Sequence, residues 1–125
     1  EPAVDLILSS PAARAAQTTD HLVTELAYTQ AVTWTPSIYL AAPDTLLDLL
    51  RKCPDEAAHV AVVGHNPGLE ELSAGLCTGA PENSVLTLAT ATLAHFDLDI
   101  VRWSQLRWGA GQLKLLVAGK WLKKE

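Results

Sequence analysis

A histidine lies just after an apolar run near the middle of the chain. The run from Val60 to Val63 is apolar without alternation, and His65 comes two residues after it. A short continuous run of this kind predicts a parallel strand covered on both faces. Asn66 is a good N-cap residue, and Pro67 suits the first position of a helix. His65 is therefore predicted at a strand end beside a helix N-terminus, where α/β sheets bind ligands and anions are favoured.

An arginine occupies the corresponding place in an earlier segment. Val4 to Leu8 predicts a strand, and the Ala-rich stretch from Ala12 to Leu26 predicts a helix with Ser10 as its N-cap. Arg14 then falls in the first turn, and because helical side chains lean toward the N-terminus, its guanidinium points back to the strand end. If both strands are parallel in one sheet, Arg14 and His65 meet at one edge. A guanidinium can bind two phosphate oxygens and an imidazole a third, so we expect a phosphate site.

The remaining segments alternate between strands and helices. We predict a short strand at 31–35, a helix at 43–52, a helix at 67–77 ended by Gly79, and strands at 87–98 and 112–118. Asp44 is interpreted as the cap of the helix at 43–52, with a role as proton donor as the alternative. The alternation predicts an α/β fold, a three-layer α/β/α sandwich with a mostly parallel sheet.

Two segments together resemble a known family. They are Leu8-Ser-Ser-Pro-Ala-Ala-Arg14-Ala-Ala-Gln17-Thr18 and, later in the chain, Val-Val-Gly-His65-Asn-Pro. In this order they resemble the histidine phosphatase (phosphoglycerate mutase-like) superfamily, and within it the bacterial phosphohistidine phosphatases of the SixA type. The resemblance runs through nearly the whole chain. It implies a phosphoglycerate mutase-like fold and a phosphatase in which Arg14 and His65 are catalytic and bind substrate, with Asn66 beside them.

The resemblance also implies the partners of the protein. The substrate is expected to be the phosphohistidine of a signalling protein or a small phosphorylated molecule. We expect no cofactor and no metal, because cationic side chains neutralise the phosphoryl group. Another small phosphomonoesterase of the superfamily and a non-catalytic phosphate-binding module remain as alternatives.

One departure from the family concerns the nucleophile. The first strand of the family ends in Arg-His-Gly, whose histidine becomes phosphorylated, and this chain contains no such motif. We therefore interpret residues 1–125 as a single, N-terminally incomplete domain that is inactive alone; a naturally shortened relative is the alternative. Because the missing strand lies inside the sheet, we expect open backbone edges at 4–8 and 60–63 and no stable monomer.

Other hydrolase and nucleotide-binding motifs are absent from the sequence. Ser9 and Ser10 lack the Gly-x-Ser-x-Gly pattern of serine hydrolases. The segment from Gly64 to Gly68 lacks the Gly-Lys-Ser/Thr ending of a P-loop.

Composition favours a cytoplasmic protein with a hydrophobic core. Hydrophobic residues make up 49% of the chain, yet no apolar run reaches the roughly 20 residues that span a bilayer. Cys53 and Cys77 show neither metal-ligand spacing nor a disulfide framework, which is typical of a reducing compartment. The net charge is −5 and the bases after Arg102 are spaced out, so we expect neither nucleic acid nor a membrane as partner.

Overall fold

The computed structural model describes residues 4–82 and 93–117. Strands and helices alternate through its first part, and a strand pair closes it. The elements are β1 (Leu6–Ser9), α1 (Ala13–Glu25), β2 (Thr33–Trp34), α2 (Pro43–Arg51), β3 (Val60–Val63), α3 (Gly68–Thr78), β4 (Leu93–Leu98) and β5 (Gly111–Val117). Two short 3-10 turns, Pro36–Ile38 and Trp103–Gln105, lie in the connections.

The first three strands form a parallel sheet with β1 at its centre. The order is β2-β1-β3, and β1 pairs with β3 from Leu6 opposite Val60 to Ser9 opposite Val63. Strands β4 and β5 pair antiparallel in a second sheet. The predicted strands at 87–98 and 112–118 correspond to β4 and β5, although positions 87–92 and 118 lie outside the described residues.

Helices cover both faces of the parallel sheet. Successive side chains of a strand point to opposite faces, so Ile7 packs with Ala15 and Tyr28 on the α1 side. Leu8 instead joins the larger core, which includes Leu46 of α2 and Leu72 of α3. The sequence prediction of a three-layer α/β/α sandwich with a mostly parallel sheet is confirmed.

The expected open edge at residues 4–8 is wrong. Strand β1 pairs with β3 along its whole length from Leu6 to Ser9, and on its other side it pairs with β2 at Leu8 and Ser9. The outer strands β2 and β3 each have a strand partner on one side only within residues 4–82 and 93–117. This also explains why Val60, Ala61 and Val62 are half-buried rather than fully covered.

The residues that cap helices α1 and α2 differ from those predicted from the sequence. Helix α1 begins at Ala13 with Ala12 as its cap, because Ser10 is still bound to the sheet through its N–H. Helix α2 is capped by Ala42 rather than Asp44, because Pro43 takes the first helical position and leaves Asp44 inside the first turn.

The third helix begins one position later than predicted. Its cap is Pro67, not Asn66, and no side chain caps it. Gly68 packs so closely on the main chain of Ala41 that a Cβ atom would overlap the Ala41 carbonyl oxygen. This close contact leaves no room for a side chain at the first residue of α3. The predicted end at Gly79 is confirmed, since Gly79 adopts the left-handed conformation that glycine favours.

None of the helices in the described ranges is long and apolar enough to cross a membrane.

Both cysteines are free thiols, and they differ in burial. Cys53 belongs to the larger core, whereas Cys77 is partly exposed.

The two thiols are expected to react with an alkylating reagent at different rates. Burial raises the pKa of the Cys53 thiol, so less of the reactive thiolate forms at a given pH. In iodoacetamide labelling at pH 8 followed by peptide mass spectrometry, Cys77 should be modified first and Cys53 only after denaturant is added. Equal labelling of both residues in the native protein would contradict the buried position of Cys53.

Candidate functional site

The segments that leave the three parallel strands meet at one edge of the sheet. Ser9 and Val63 are partners at the ends of β1 and β3, and the Ser10 N–H donates to the Val63 carbonyl oxygen at 3.0 Å. The Thr35 N–H, just after β2, donates to the Ser9 carbonyl oxygen at 2.7 Å. Because the strands are parallel, all three connections emerge at their carboxyl ends, where ligands of such sheets bind.

His65 is held at this edge from two sides. Its Nε2 atom lies 2.8 Å from the Ser10 hydroxyl oxygen, which joins the β3–α3 connection to the β1–α1 connection. The Tyr39 ring meets the imidazole edge-on, with ring centroids 5.1 Å apart and planes at 79°. The His65 carbonyl oxygen also accepts the Leu69 N–H at 3.0 Å. The ring is therefore fixed in place while remaining half-buried.

Three buried hydroxyl groups brace the turn that carries Ser10. Ser9, Ser10 and Thr19 are each 0% exposed. The Ser9 hydroxyl donates to the Ser10 carbonyl oxygen at 2.9 Å. It has a single proton, so in its 2.7 Å contact with Thr19 it must accept from the Thr19 hydroxyl. The chain of donors from Thr19 through Ser9 to Ser10 ties α1 to the end of β1.

Arg14 occupies the second position of α1, in its first turn as predicted, and is exposed. The Thr18 hydroxyl donates to the Arg14 carbonyl oxygen at 3.2 Å, so Thr18 bonds the main chain of Arg14. No group within residues 4–82 and 93–117 forms a hydrogen bond or ion pair with the guanidinium. A cation at the positive end of a helix is unfavourable by itself, and an anion bound there would offset the repulsion.

The charges at the three helix starts differ in a way that favours an anion near α1. The first turn of α2 carries Asp44, and that of α3 carries Glu70 and Glu71. The first turn of α1 has no acidic residue and carries Arg14 instead. The N-terminus of α1 is thus the one among these three with both a positive helix end and a cationic side chain.

The described residues contain no cluster of three or more His, Cys, Asp or Glu side chains that could hold a metal ion. The groups that do converge are an imidazole, buried hydroxyls and the start of a helix with its arginine. The guanidinium, the N–H groups at the helix start and an imidazole N–H can donate hydrogen bonds to an oxyanion, whereas the buried hydroxyls position His65. The other predicted site residue, Asn66, is exposed on the same connection as His65.

The sequence did not predict the roles of two residues of this site. Ser10 is assigned there as a helix cap, yet it is the hydrogen-bond partner of His65. Tyr39 is not assigned any role, yet its ring packs on the imidazole. The signal for Tyr39 was its place after β2, because the connections after all three parallel strands share one edge.

No protein family profile matches the chain. Two uncharacterized proteins from two strains of Mycobacterium tuberculosis are each 29% identical over 121 residues, which cover 96% of this chain and 65% of theirs. The chain therefore spans about two thirds of the length of these relatives.

Solved structures give a clearer match. A protein assigned as a phosphohistidine phosphatase SixA from Nakamurella multipartitia superposes with a TM-score of 0.75 and 24% identity, over 94% of this chain and 72% of its own. The protein histidine phosphatase SixA in complex with tungstate gives the same TM-score and identity, over 96% and 72%. The fold is that of the SixA phosphatases. The phosphoglycerate mutase-like fold implied by the sequence resemblance is thus confirmed.

We predict that Arg14 and His65 bind the same oxyanion. Losing a hydrogen bond to a charged group costs about 1.5–3 kcal/mol, so Arg14→Gln should weaken the binding of inorganic phosphate roughly 10- to 150-fold. Isothermal titration of the protein expressed from its complete reading frame measures this change. Arg107→Gln removes the same charge from an exposed arginine beside Asp99 and should leave phosphate affinity within about twofold. A loss of equal size in both variants would mean that only the net charge matters.

Proposed function

We propose that the protein is a phosphohistidine phosphatase that removes the phosphoryl group from a histidine of a cytoplasmic signalling protein. The observation that carries the proposal is the hydrogen bond between His65 and Ser10, which fixes an imidazole at the carboxyl end of the strands in a SixA-like fold. Arg14 lies in the first turn of α1, which starts at the same edge, and a phosphoryl group is the ligand that both side chains suit.

In the proposed reaction this chain binds the phosphoryl group. By the family resemblance, the nucleophile is a histidine of an Arg-His-Gly motif, which these 125 residues do not contain. Its imidazole nitrogen attacks phosphorus, the P–N bond of the substrate breaks, and the substrate histidine leaves. Water then hydrolyses the phosphoenzyme and releases inorganic phosphate.

Arg14 and His65 stabilise the charge of the transferring group in this scheme. The guanidinium contacts two phosphoryl oxygens, and the imidazole donates a hydrogen bond to a third. The imidazole of His65 is held by Ser10 and Tyr39 before the substrate binds, and α1 holds the main chain of Arg14 at the same edge. Little reorganisation of the imidazole is therefore needed as the charge develops.

Exposed residues beside His65 support a protein as the substrate. Tyr39, whose ring packs on the imidazole, is 57% exposed, and the next residue in the chain, Leu40, is 65% exposed. Asn66 is exposed on the next position of the chain. A histidine on the surface of another protein can approach such a rim, and the aromatic ring offers it a stacking partner.

A substrate panel tests the proposal. The protein expressed from its complete reading frame should hydrolyse a phosphohistidine-containing phosphotransfer domain with a higher kcat/KM than sugar phosphates or nucleotides. Arg14→Gln should lower kcat/KM about 10²- to 10³-fold, the loss typical for a group that stabilises transition-state charge. Arg107→Gln is the matched control and should retain activity. A preference for sugar phosphates would identify another phosphomonoesterase of the same superfamily.

A non-catalytic phosphate-binding module is the second candidate, because the Arg-His-Gly motif is missing from these residues. We expect a sample of verified mass that contains residues 1–125 alone to show no turnover of phosphoramidate or aryl phosphate. Measurable turnover by that sample would place the nucleophile within the chain. Phosphate binding without turnover by the protein from the complete reading frame would support the binding module.

A further inference from the structure

We infer that Ser10 sets the tautomer of His65, placing the proton on Nδ1 so that Nδ1–H is the group that donates to the phosphoryl oxygen. The first half of this assignment stands on the geometry alone, and the second half rests on the proposed function. A neutral imidazole has one donor and one acceptor nitrogen, and the bond made by one nitrogen decides which is which.

The direction of the Ser10–His65 hydrogen bond follows from the partners of the Ser10 hydroxyl. Its oxygen accepts the Ala12 N–H at 3.2 Å and lies 2.8 Å from His65 Nε2. Ser10 is 0% exposed, so bulk water does not reach it. Within residues 4–82 and 93–117, His65 Nε2 is the acceptor available to the Ser10 proton. If Nε2 carried a proton instead, the Ser10 O–H would be buried without an acceptor, which costs about 1–3 kcal/mol.

The neighbouring hydroxyl groups are already committed and offer no alternative acceptor. Ser9 donates to the Ser10 carbonyl oxygen and accepts from Thr19. The Ser10 N–H is bound to Val63. Ser10 is thus held through its main chain as well as its side chain, which makes it a positioning residue for His65.

The resulting tautomer matches an oxyanion. With Nε2 as acceptor, the imidazole proton is on Nδ1, and no hydrogen bond to Nδ1 occurs among the described residues. The oxygens of a dianionic phosphoryl group only accept hydrogen bonds. The Nδ1–H tautomer therefore presents a donor to them, whereas the Nε2–H tautomer would present a repelling lone pair.

Nitrogen NMR of histidine tests the assignment directly. Long-range ¹H–¹⁵N spectra of the ¹⁵N-labelled protein from the complete reading frame at pH 8.5, above the ordinary pKa of histidine of about 6.5, report which nitrogen is protonated. We expect His65 to show a protonated Nδ1 and an unprotonated Nε2. His21 is exposed and serves as an internal reference, in which the Nε2–H form that free histidine prefers should dominate.

Two variants separate the role of the hydroxyl from general packing. Ser10→Ala should return His65 to a mixture in which Nε2–H dominates, and should weaken phosphate binding roughly tenfold. Ser73→Ala removes a hydroxyl from another buried serine, in α3, and should leave the His65 tautomer unchanged. If Ser10→Ala does not fold, the spectrum of the unmodified protein alone decides the question.

The outcomes distinguish this inference from the proposed function. An Nε2–H tautomer of His65 in the unmodified protein overturns the inference, whether or not the protein hydrolyses phosphohistidine. An Nδ1–H tautomer whose resonance moves on addition of inorganic phosphate supports both halves. An Nδ1–H tautomer that does not respond to saturating phosphate supports the role of Ser10 and overturns the donation to a phosphoryl oxygen.

Discussion

The parallel pairing of β1 with β3 is the constraint on which the site depends. The register that sets Ser9 opposite Val63 brings the next residue, Ser10, within hydrogen-bond distance of the β3–α3 connection and of His65. A slip of one residue would turn Ile7 and Leu8 to the wrong faces of the sheet, so burial of these side chains enforces the register. The hydrophobic core thus fixes the distance between two polar side chains at its edge.

Close contacts at two glycines bring the segment that follows β2 to the same edge of the sheet as Ser10 and His65. Gly68 lies against the Ala41 carbonyl oxygen, and a Cβ atom on Gly64 would come within 2.8 Å of Ile38. These contacts hold the segment after β2 against the start of α3, so Tyr39 in that segment reaches the imidazole. A larger side chain at either glycine would separate Tyr39 from His65, which links backbone packing to the geometry of the site.

Among the described residues, the segment that includes the antiparallel strands β4 and β5 supports helix α3 and contributes no side chain to the site. Gly111 of β5 packs on Leu76 of α3, and Gly75 of α3 lies against the Trp108 ring. These contacts support helix α3, whose N-terminus follows His65 in the chain. The same helix carries acidic residues in its first turn, whereas α1 carries Arg14, so the charge pattern favours an anion beside α1.

The sequence by itself determined the elements and the residues that could bind an anion. Unbroken apolar runs predicted β1 and β3, and the Ala-rich stretch predicted a helix with Arg14 in its first turn, because these patterns depend on neighbours in the chain. The resemblance to the histidine phosphatases led to the correct fold. Only the tertiary structure decided the helix caps, the central place of β1, and the partners of His65. Ser10 is 55 residues away in sequence, and such a contact forms only when the strands pair.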